Sequence, residues 1–192
     1  MTWMASAMRA AQAQLESATH NLANVASDGF RRVHSSLALT GQGLVARESP
    51  DAAQGGIRET GRALDLALLG PGSFHVGTAT TRNGAFVRDR DGYLADQHGR
   101  RVQGLAGPIR LPEQAVIGSD GAIRDGERIV ARLPLPAGTS IRSGALESSS
   151  VDAIGETLAV LTAQRAFETA QKTLVAIDQT REKAVNDVVR LK

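Results

Sequence analysis

Hydrophobic residues near both ends of the chain recur at alternating spacings of three and four positions, which is typical of helices that pack along one narrow face. The first series begins at Met4 and ends at Val25, and Gly29 follows it as a helix stop. The second begins at Val160, and Ser150 or Asp152 can cap the helix that carries it. We therefore predict a helix over roughly residues 3–27 and a longer one over the C-terminal residues.

The middle of the chain is interrupted by turn-forming residues. Of the 20 glycines, 18 lie between Gly41 and Gly144, and all six prolines lie in the same stretch. Dipeptides such as Asn83-Gly84 and Asp91-Gly92 favour tight hairpin turns. The short hydrophobic segments between them predict antiparallel strands in a β-meander or a small barrel.

The two patterns together predict an α+β fold with three parts. Residues 1–30 and 151–192 supply long N- and C-terminal helices that form an antiparallel coiled coil. Residues 31–56 are rich in Ser, Gly, Ala and Gln without a sustained period, which predicts an extended connector. Residues 57–150 form a central antiparallel β-rich domain. A helical hairpin packed within one domain is the alternative for the two ends.

Composition narrows the function classes. The 22 Lys and Arg residues nearly balance the 20 Asp and Glu residues, so the net charge of +2 gives no basic stripe for nucleic acid. Cysteine is absent, which excludes disulfides and thiolate metal sites. No apolar run is long enough to span a bilayer, and the first 25 residues lack the apolar core of a cleaved signal peptide.

The residue pattern offers little for catalysis. No two of the four histidines stand at a metal-ligand spacing, and the carboxylates are scattered. We therefore predict that the chain is not an enzyme and has no catalytic, cofactor-binding or metal site. The competing enzyme hypothesis requires a site assembled from Asp65, Asp89, Asp91 and His75.

Three stretches resemble the flagellar rod and hook protein family of bacteria. The first runs Asn-Leu-Ala-Asn-Val-Ala-Ser-Asp-Gly-Phe-Arg-Arg over residues 21–32 and is similar to the family's N-terminal signature. The second contains Thr-Arg-Asn-Gly-Ala-Phe at residues 81–86, similar to the family's central β domain. The third combines residues 144–152 with Ala-Gln-Arg-Ala-Phe-Glu at residues 163–168 and resembles the C-terminal signature.

The resemblance implies a structural subunit of the basal-body rod, which stacks helically into a hollow drive shaft. Expected partners are other rod proteins, further copies of the chain and the flagellar type III export apparatus, with no nucleic acid and no membrane insertion. The implied location is the periplasmic rod, reached without a cleaved signal peptide. Within the family, residues 1–11 and 104–112 are most similar to the proximal rod proteins, and the distal rod proteins are next.

Two sets of residues are therefore predicted to matter for assembly. The helix faces that would contact other helices carry Leu15, Ala18, Asn21, Leu22, Asn24, Val25, Gln164, Arg165, Phe167, Ala170, Leu174, Ile177 and Val188. The signature turns contain Gly29, Phe30, Arg82, Asn83, Gly84 and Phe86. A distal rod or hook-type subunit of the same family, and a soluble coiled-coil adaptor, are the competing functional hypotheses.

Overall fold

The computed structural model describes residues 2–40 and 43–190, with side chains described except at residues 2–5, 37, 39, 40, 43, 44, 46 and 185–190. Its helices are α1 (Thr2–Ala23) and α2 (Ala153–Arg190). The strands between them are β1 (Val33–Thr40), β2 (Gly43–Pro50), β3 (Ile57–Glu59), β4 (Leu66–Leu69), β5 (Phe74–Val76), β6 (Ala79–Thr81), β7 (Val87–Arg88), β8 (Leu94–Ala95), β9 (Gln103–Gly104), β10 (Gly107–Pro108), β11 (Val116–Ile117), β12 (Ala122–Asp125), β13 (Arg128–Arg132), β14 (Ser140–Ser143) and β15 (Ala145–Glu147). None of the described helices is long and apolar enough to cross a membrane.

The described chain divides into two compact units. The helical unit consists of residues 1–23, 32–51 and 152–192, and the β-rich unit consists of residues 24–31 and 52–151. In the helical unit α1 packs against both α2 and the β1–β2 hairpin. Asp152 caps α2, because its carboxylate accepts hydrogen bonds from the backbone N–H groups of Ile154 and Gly155 at 3.1 and 3.2 Å.

The predicted coiled coil of two long terminal helices is wrong. Helix α1 has 22 residues and α2 has 38, so α1 is too short to accompany α2 over its length. Helix α1 also ends at Ala23, which leaves Asn24 and Val25 outside it. The hydrogen bond from the Ser27 N–H to the Asn24 carbonyl, at 3.1 Å, turns the chain there. The strands between the two helices form several small sheets, each of two or three strands.

Most of the predicted connector, residues 31–56, lies in a β-hairpin. Residues 33–40 and 43–50 pair in antiparallel register from Val33 with Pro50 to Thr40 with Gly43. The described side chains of this hairpin are exposed or half-buried, so the stretch lacks the strict alternation of a strand pair with one fully buried face.

The β-rich unit surrounds one hydrophobic core. The largest fully buried side chains in it are Phe86, Leu66, Leu68, Leu94, Ile109, Ile123, Val76 and Val102. Phe74 meets Phe86 edge to face with ring centroids 5.0 Å apart. All the strand pairs are antiparallel, as predicted, but β14 pairs with β4 and β15 with β3 across long sequence separations. The order of strands is therefore not a meander.

Three turns of the β-rich unit share one design. Asp89, Asp96 and Asp120 each accept backbone N–H hydrogen bonds within their own turn and pair with an arginine, namely Arg101, Arg100 and Arg124. These interactions lower the pKa of each carboxyl group. The Tyr93 N–H is the main cause for Asp89, and Arg124 is the main cause for Asp120. For Asp96, burial raises the pKa, but hydrogen bonds from Arg100 and His98 outweigh it.

Candidate assembly site

Helix α2 presents apolar side chains on two faces. One face turns toward the helical unit: Ala163 is buried, and Phe167, Ala170 and Leu174 are half-buried. The opposite face carries Ile154, Leu158 and Leu161, which are 75%, 59% and 48% exposed; we call these three residues the outer stripe. Their spacing of four and then three residues places them side by side along the helix. A helix with apolar residues on both sides has more hydrophobic surface than its own unit covers.

The structure distributes the predicted helix-face residues unevenly. In α1, Ala18 and Asn21 are buried, and Leu15 and Leu22 are half-buried. In α2, Gln164 and Arg165 are exposed, and Ile177 is 37% exposed. The side chain of Val188 lies outside the described residues. The series that looked continuous in the sequence is therefore buried near the start of α2 and becomes exposed toward its C-terminal end.

Asn21 links the three parts of the helical unit. Its side-chain amide accepts a hydrogen bond from the Val33 N–H and donates one to the Val33 carbonyl, both at 2.8 Å. It also donates to the buried carboxylate of Glu156 at 3.3 Å, and Glu156 pairs with Arg32. Ser17 donates to the same Val33 carbonyl at 3.1 Å. The end of α1, the start of β1 and the first turn of α2 are thus joined by one hydrogen-bond network.

A buried ion pair lies at the centre of the β-rich unit. Arg82 and Glu147 are 5% and 1% exposed, and the Arg82 Nε lies 2.7 Å from the Glu147 carboxylate. The same guanidinium donates to the carbonyls of Leu68, Gly70 and Gly72 at 3.1, 2.9 and 2.7 Å. The Glu147 carboxylate also accepts from the Gly55 N–H at 3.2 Å. The pair is therefore satisfied by hydrogen bonds, which a buried ion pair requires.

The signature turns pack on this ion pair. The Gly29 N–H donates to the Glu147 carbonyl at 2.6 Å, and Gly29 has a φ of +69°. A Cβ atom on Gly29 would lie 2.6 Å from the Arg82 carbonyl oxygen. Gly84 is equally enclosed, since a Cβ there would overlap the carbonyl of Leu66. Gly29, Arg82 and Glu147 come from three separate sequence signatures, and the β-rich unit brings them to one place.

Phe30 and Asn83 complete these turns in different ways. The Phe30 carbonyl accepts a hydrogen bond from the Ser150 N–H at 3.0 Å. The Asn83 side chain accepts one from the Ala85 N–H at 2.9 Å, which holds the turn before the buried Phe86. Both residues therefore stabilise the local backbone.

Sequence reasoning missed Glu147 and Glu156 as central residues. Both are acidic residues at positions where the neighbouring pattern is apolar or small: Glu147 ends the Ala-Leu-Glu strand β15, and Glu156 lies in the first turn of α2. A carboxylate in such a position has to find a cationic partner if it is buried. That requirement was the signal that could have identified them.

The residues of the enzyme hypothesis are engaged separately. Asp65 is buried and pairs with Arg62 at 3.0 Å, whereas Asp89 and Asp91 share Arg101. His75 lies in the wall of an open cleft of about 550 Å³ that also contains Asp120 and Arg132. Within the described part of the chain, no group of three or more His, Asp or Glu side chains is arranged to hold a metal ion.

Known proteins match the chain in two ways. Residues 142–187 match the family described as flagellar basal body rod FlgEFG protein C-terminal. The flagellar basal-body rod protein FlgG of Bacillus subtilis is 27% identical over 94% of this chain and 96% of its own length. FlgF of Mesorhizobium japonicum is 29% identical over 85% of this chain and 86% of its own length. FlgF of Escherichia coli is 29% identical over 85% of this chain and 88% of its own length.

The matched family covers β15 and most of α2, and the relatives extend the similarity to both units. The relatives include both FlgF and FlgG, so similarity to the proximal rod proteins in particular stays a prediction. The resemblance expected from the three signatures is confirmed: the chain is similar to flagellar basal-body rod proteins of the FlgF and FlgG type in both of its units.

Proposed function

We propose that the chain is a structural subunit of the flagellar basal-body rod and that it acts by assembly rather than by catalysis. The observation that carries the proposal is the similarity to rod proteins over 85–94% of the chain. A subunit that acts by assembly needs exposed surface that neighbouring subunits can contact. The outer stripe of α2 and the exposed distal part of the same helix provide such surface.

The helical unit is the part of the subunit that we assign to the rod core. Its outer stripe exposes three large aliphatic side chains, and burial of each would contribute about 1–2 kcal/mol to association. The β-rich unit has its own hydrophobic core and a satisfied ion pair. We assign the β-rich unit to the outside of the shaft, since its hydrophobic core does not need neighbouring subunits to bury it.

Assembly follows from contacts between different surfaces of successive subunits. Such head-to-tail contacts generate an open helical array rather than a closed ring. The partners proposed here are other rod proteins and further copies of the chain. Delivery through the flagellar type III export apparatus belongs to the same proposal.

The test is the location of the chain in a cell that makes it. We expect an epitope-tagged chain to co-purify with isolated basal bodies and its deletion to remove the shaft beyond it and abolish motility. A tag in the exposed turn at Asp125-Gly126 avoids both helices. Motile cells with complete basal bodies after deletion, or a tagged chain found only in the cytoplasm, would contradict the proposal.

A further inference from the structure

Two arginine side chains of the β-rich unit converge on a glycine. A Cβ atom built on Gly92 would lie 3.4 Å from an Nη atom of Arg88 and 3.9 Å from the Nε atom of Arg110. Arg88 ends β7, and Arg110 is bridged to Tyr93, the residue after Gly92. Both arginines are exposed and Gly92 is buried, so the two side chains come together over one point of the backbone.

The positive charges at this point have no carboxylate beside them. Asp89 and Asp91, the acidic residues nearest in sequence, are both engaged by Arg101, and Asp96 is engaged by Arg100. Within the described residues, no ion pair involves Arg88 or Arg110. Two guanidinium groups near one point repel each other, and an oxyanion between them would remove the repulsion and accept hydrogen bonds from both.

Gly92 lets the two arginine side chains lie close to the backbone. Its φ of +84° lies in the region that favours glycine, and it is buried, with Arg88 and Arg110 supplying the atoms nearest to its missing Cβ. Its own N–H donates to the Asp89 carbonyl at 3.0 Å, so the backbone does not supply a further donor. The two guanidinium groups alone define the site, and planar forks of this kind match a carboxylate in geometry.

We propose that Arg88 and Arg110 form a clip for a carboxylate side chain of a neighbouring axial subunit. This inference rests on the proposed function. The site is open to water, where a free small anion would be held weakly. A carboxylate presented by an adjoining subunit has a far higher effective concentration, so the same weak contact becomes useful in an assembly. The clip thus adds an electrostatic contact from the β-rich unit, and it selects against neighbours that present a cation there.

The first test compares two double variants of the full chain in cells that lack the wild-type copy. Arg88→Gln with Arg110→Gln removes the clip. Arg90→Gln with Arg128→Gln removes the same charge from two other exposed arginines of the β-rich unit. We expect the first variant to be depleted at least about tenfold from basal bodies and the control to assemble normally. Both soluble chains are expected to melt like the wild type, because all four side chains are exposed.

The outcomes separate this inference from the proposed function. Normal incorporation of the Arg88→Gln, Arg110→Gln chain would overturn the clip while leaving the rod subunit intact. Equal depletion of the two double variants would also overturn it, since it would show an effect of net charge alone. Absence of the wild-type chain from basal bodies would instead contradict the proposed function.

The second test asks where the oxyanion comes from. The Nε–Hε resonances of Arg88 and Arg110 in the soluble full-length chain are followed during titration with acetate and with inorganic phosphate at constant ionic strength. We expect both resonances to shift, with dissociation constants above about 10 mM, while the paired Arg101 stays unchanged. Micromolar phosphate binding would identify a free-anion site and overturn the assignment to a neighbouring subunit. No shift at either arginine would overturn the clip itself.

Discussion

The side-chain amide of Asn21 pairs with the backbone of Val33 as a residue of a neighbouring strand would, through one hydrogen bond in each direction. An isosteric Asn21→Asp change removes the donor and places a second carboxylate beside Glu156. We expect a loss of about 2–4 kcal/mol in the stability of the helical unit, because buried groups lose their partners and like charges meet.

The measurement for Asn21→Asp is amide hydrogen exchange of the full chain, read separately for the two units. The matched control is Gln14→Glu, the same change of chemistry at an exposed position of α1. Unchanged protection in β1 and the first turn of α2 would show that the hydrogen-bond network does not stabilise the unit.

The second prediction concerns the ion pair of Arg82 and Glu147. Glu147→Gln keeps the shape of the side chain but leaves the Arg82 cation buried without a counter-charge. We expect destabilisation of the β-rich unit by about 3–5 kcal/mol, measured by chemical denaturation. The control is Glu59→Gln, because Glu59 pairs with Arg142 at an exposed site of the neighbouring strand β3. An effect no larger than that of the control would contradict the central role of the buried pair.

The third prediction separates backbone conformation from available space. Gly29 and Gly61 have similar φ values of +69° and +75°, but only Gly29 is enclosed, and a Cβ on Gly61 would meet no atom within 4 Å. Gly61→Ala is expected to cost about 1 kcal/mol, from the positive φ alone. Gly29→Ala should cost about 1–3 kcal/mol more, from the overlap with Arg82 and Asn83. Equal melting temperatures of the two variants would mean that the backbone at Gly29 can move away.

The fourth prediction is an acid-dependent loss of stability in the β-rich unit. The folded structure lowers the pKa of Asp89, Asp96 and Asp120 below their ordinary value of 3.8. Their contribution is complete above that value and is lost as the pH falls through the lower folded pKa values. We expect the stability to fall between about pH 4 and pH 2, and Asp96→Asn to make this fall smaller.

Denaturation curves at a series of pH values measure the acid effect, with Asp125→Asn, at the exposed end of β12, as the control. The same slope in the wild-type chain and the Asp96→Asn chain would show that the turn carboxylate does not contribute.

The fifth prediction concerns the outer stripe. Leu158→Asp should leave the melting of the soluble chain nearly unchanged, because the side chain is 59% exposed. In the assembled rod it would bury a carboxylate against a neighbour, which costs several kcal/mol and should abolish motility. Gln171→Asp, an exposed polar position of the same helix, is the control. Full motility with Leu158→Asp would exclude the outer stripe from the assembly contacts.

The sequence predicted the local features of this protein better than its long-range pairings. Gly92 was expected in a turn, and it has a φ of +84°. Turn chemistry is a property of two or three adjacent residues, so it can be seen in the sequence. The pairing of β15 with β3 joins Leu146 to Arg58 and depends on how the whole unit closes. Nothing in either short strand specifies that partner.

The candidate site shows the same division. The apolar spacing of α2 was visible, but the spacing alone did not reveal that α1 ends at Ala23 and that the two helices differ in length. Which face of α2 is covered depends on the packing of α1 and on Asn21, both of which are tertiary features. The signature residues were identified by resemblance, but their convergence on Glu147 depends on how distant segments pack together.

The contact between Asn21 and Glu156 spans 135 residues of sequence, and this separation sets an order of events when the chain folds. The helical unit needs both ends of the chain, so it cannot close before the residues near Glu156 are available. Residues 52–151 contain nearly all of the β-rich unit and can fold earlier, with shorter loops to close. A chain that becomes available gradually from its N-terminus would therefore complete its helical unit last.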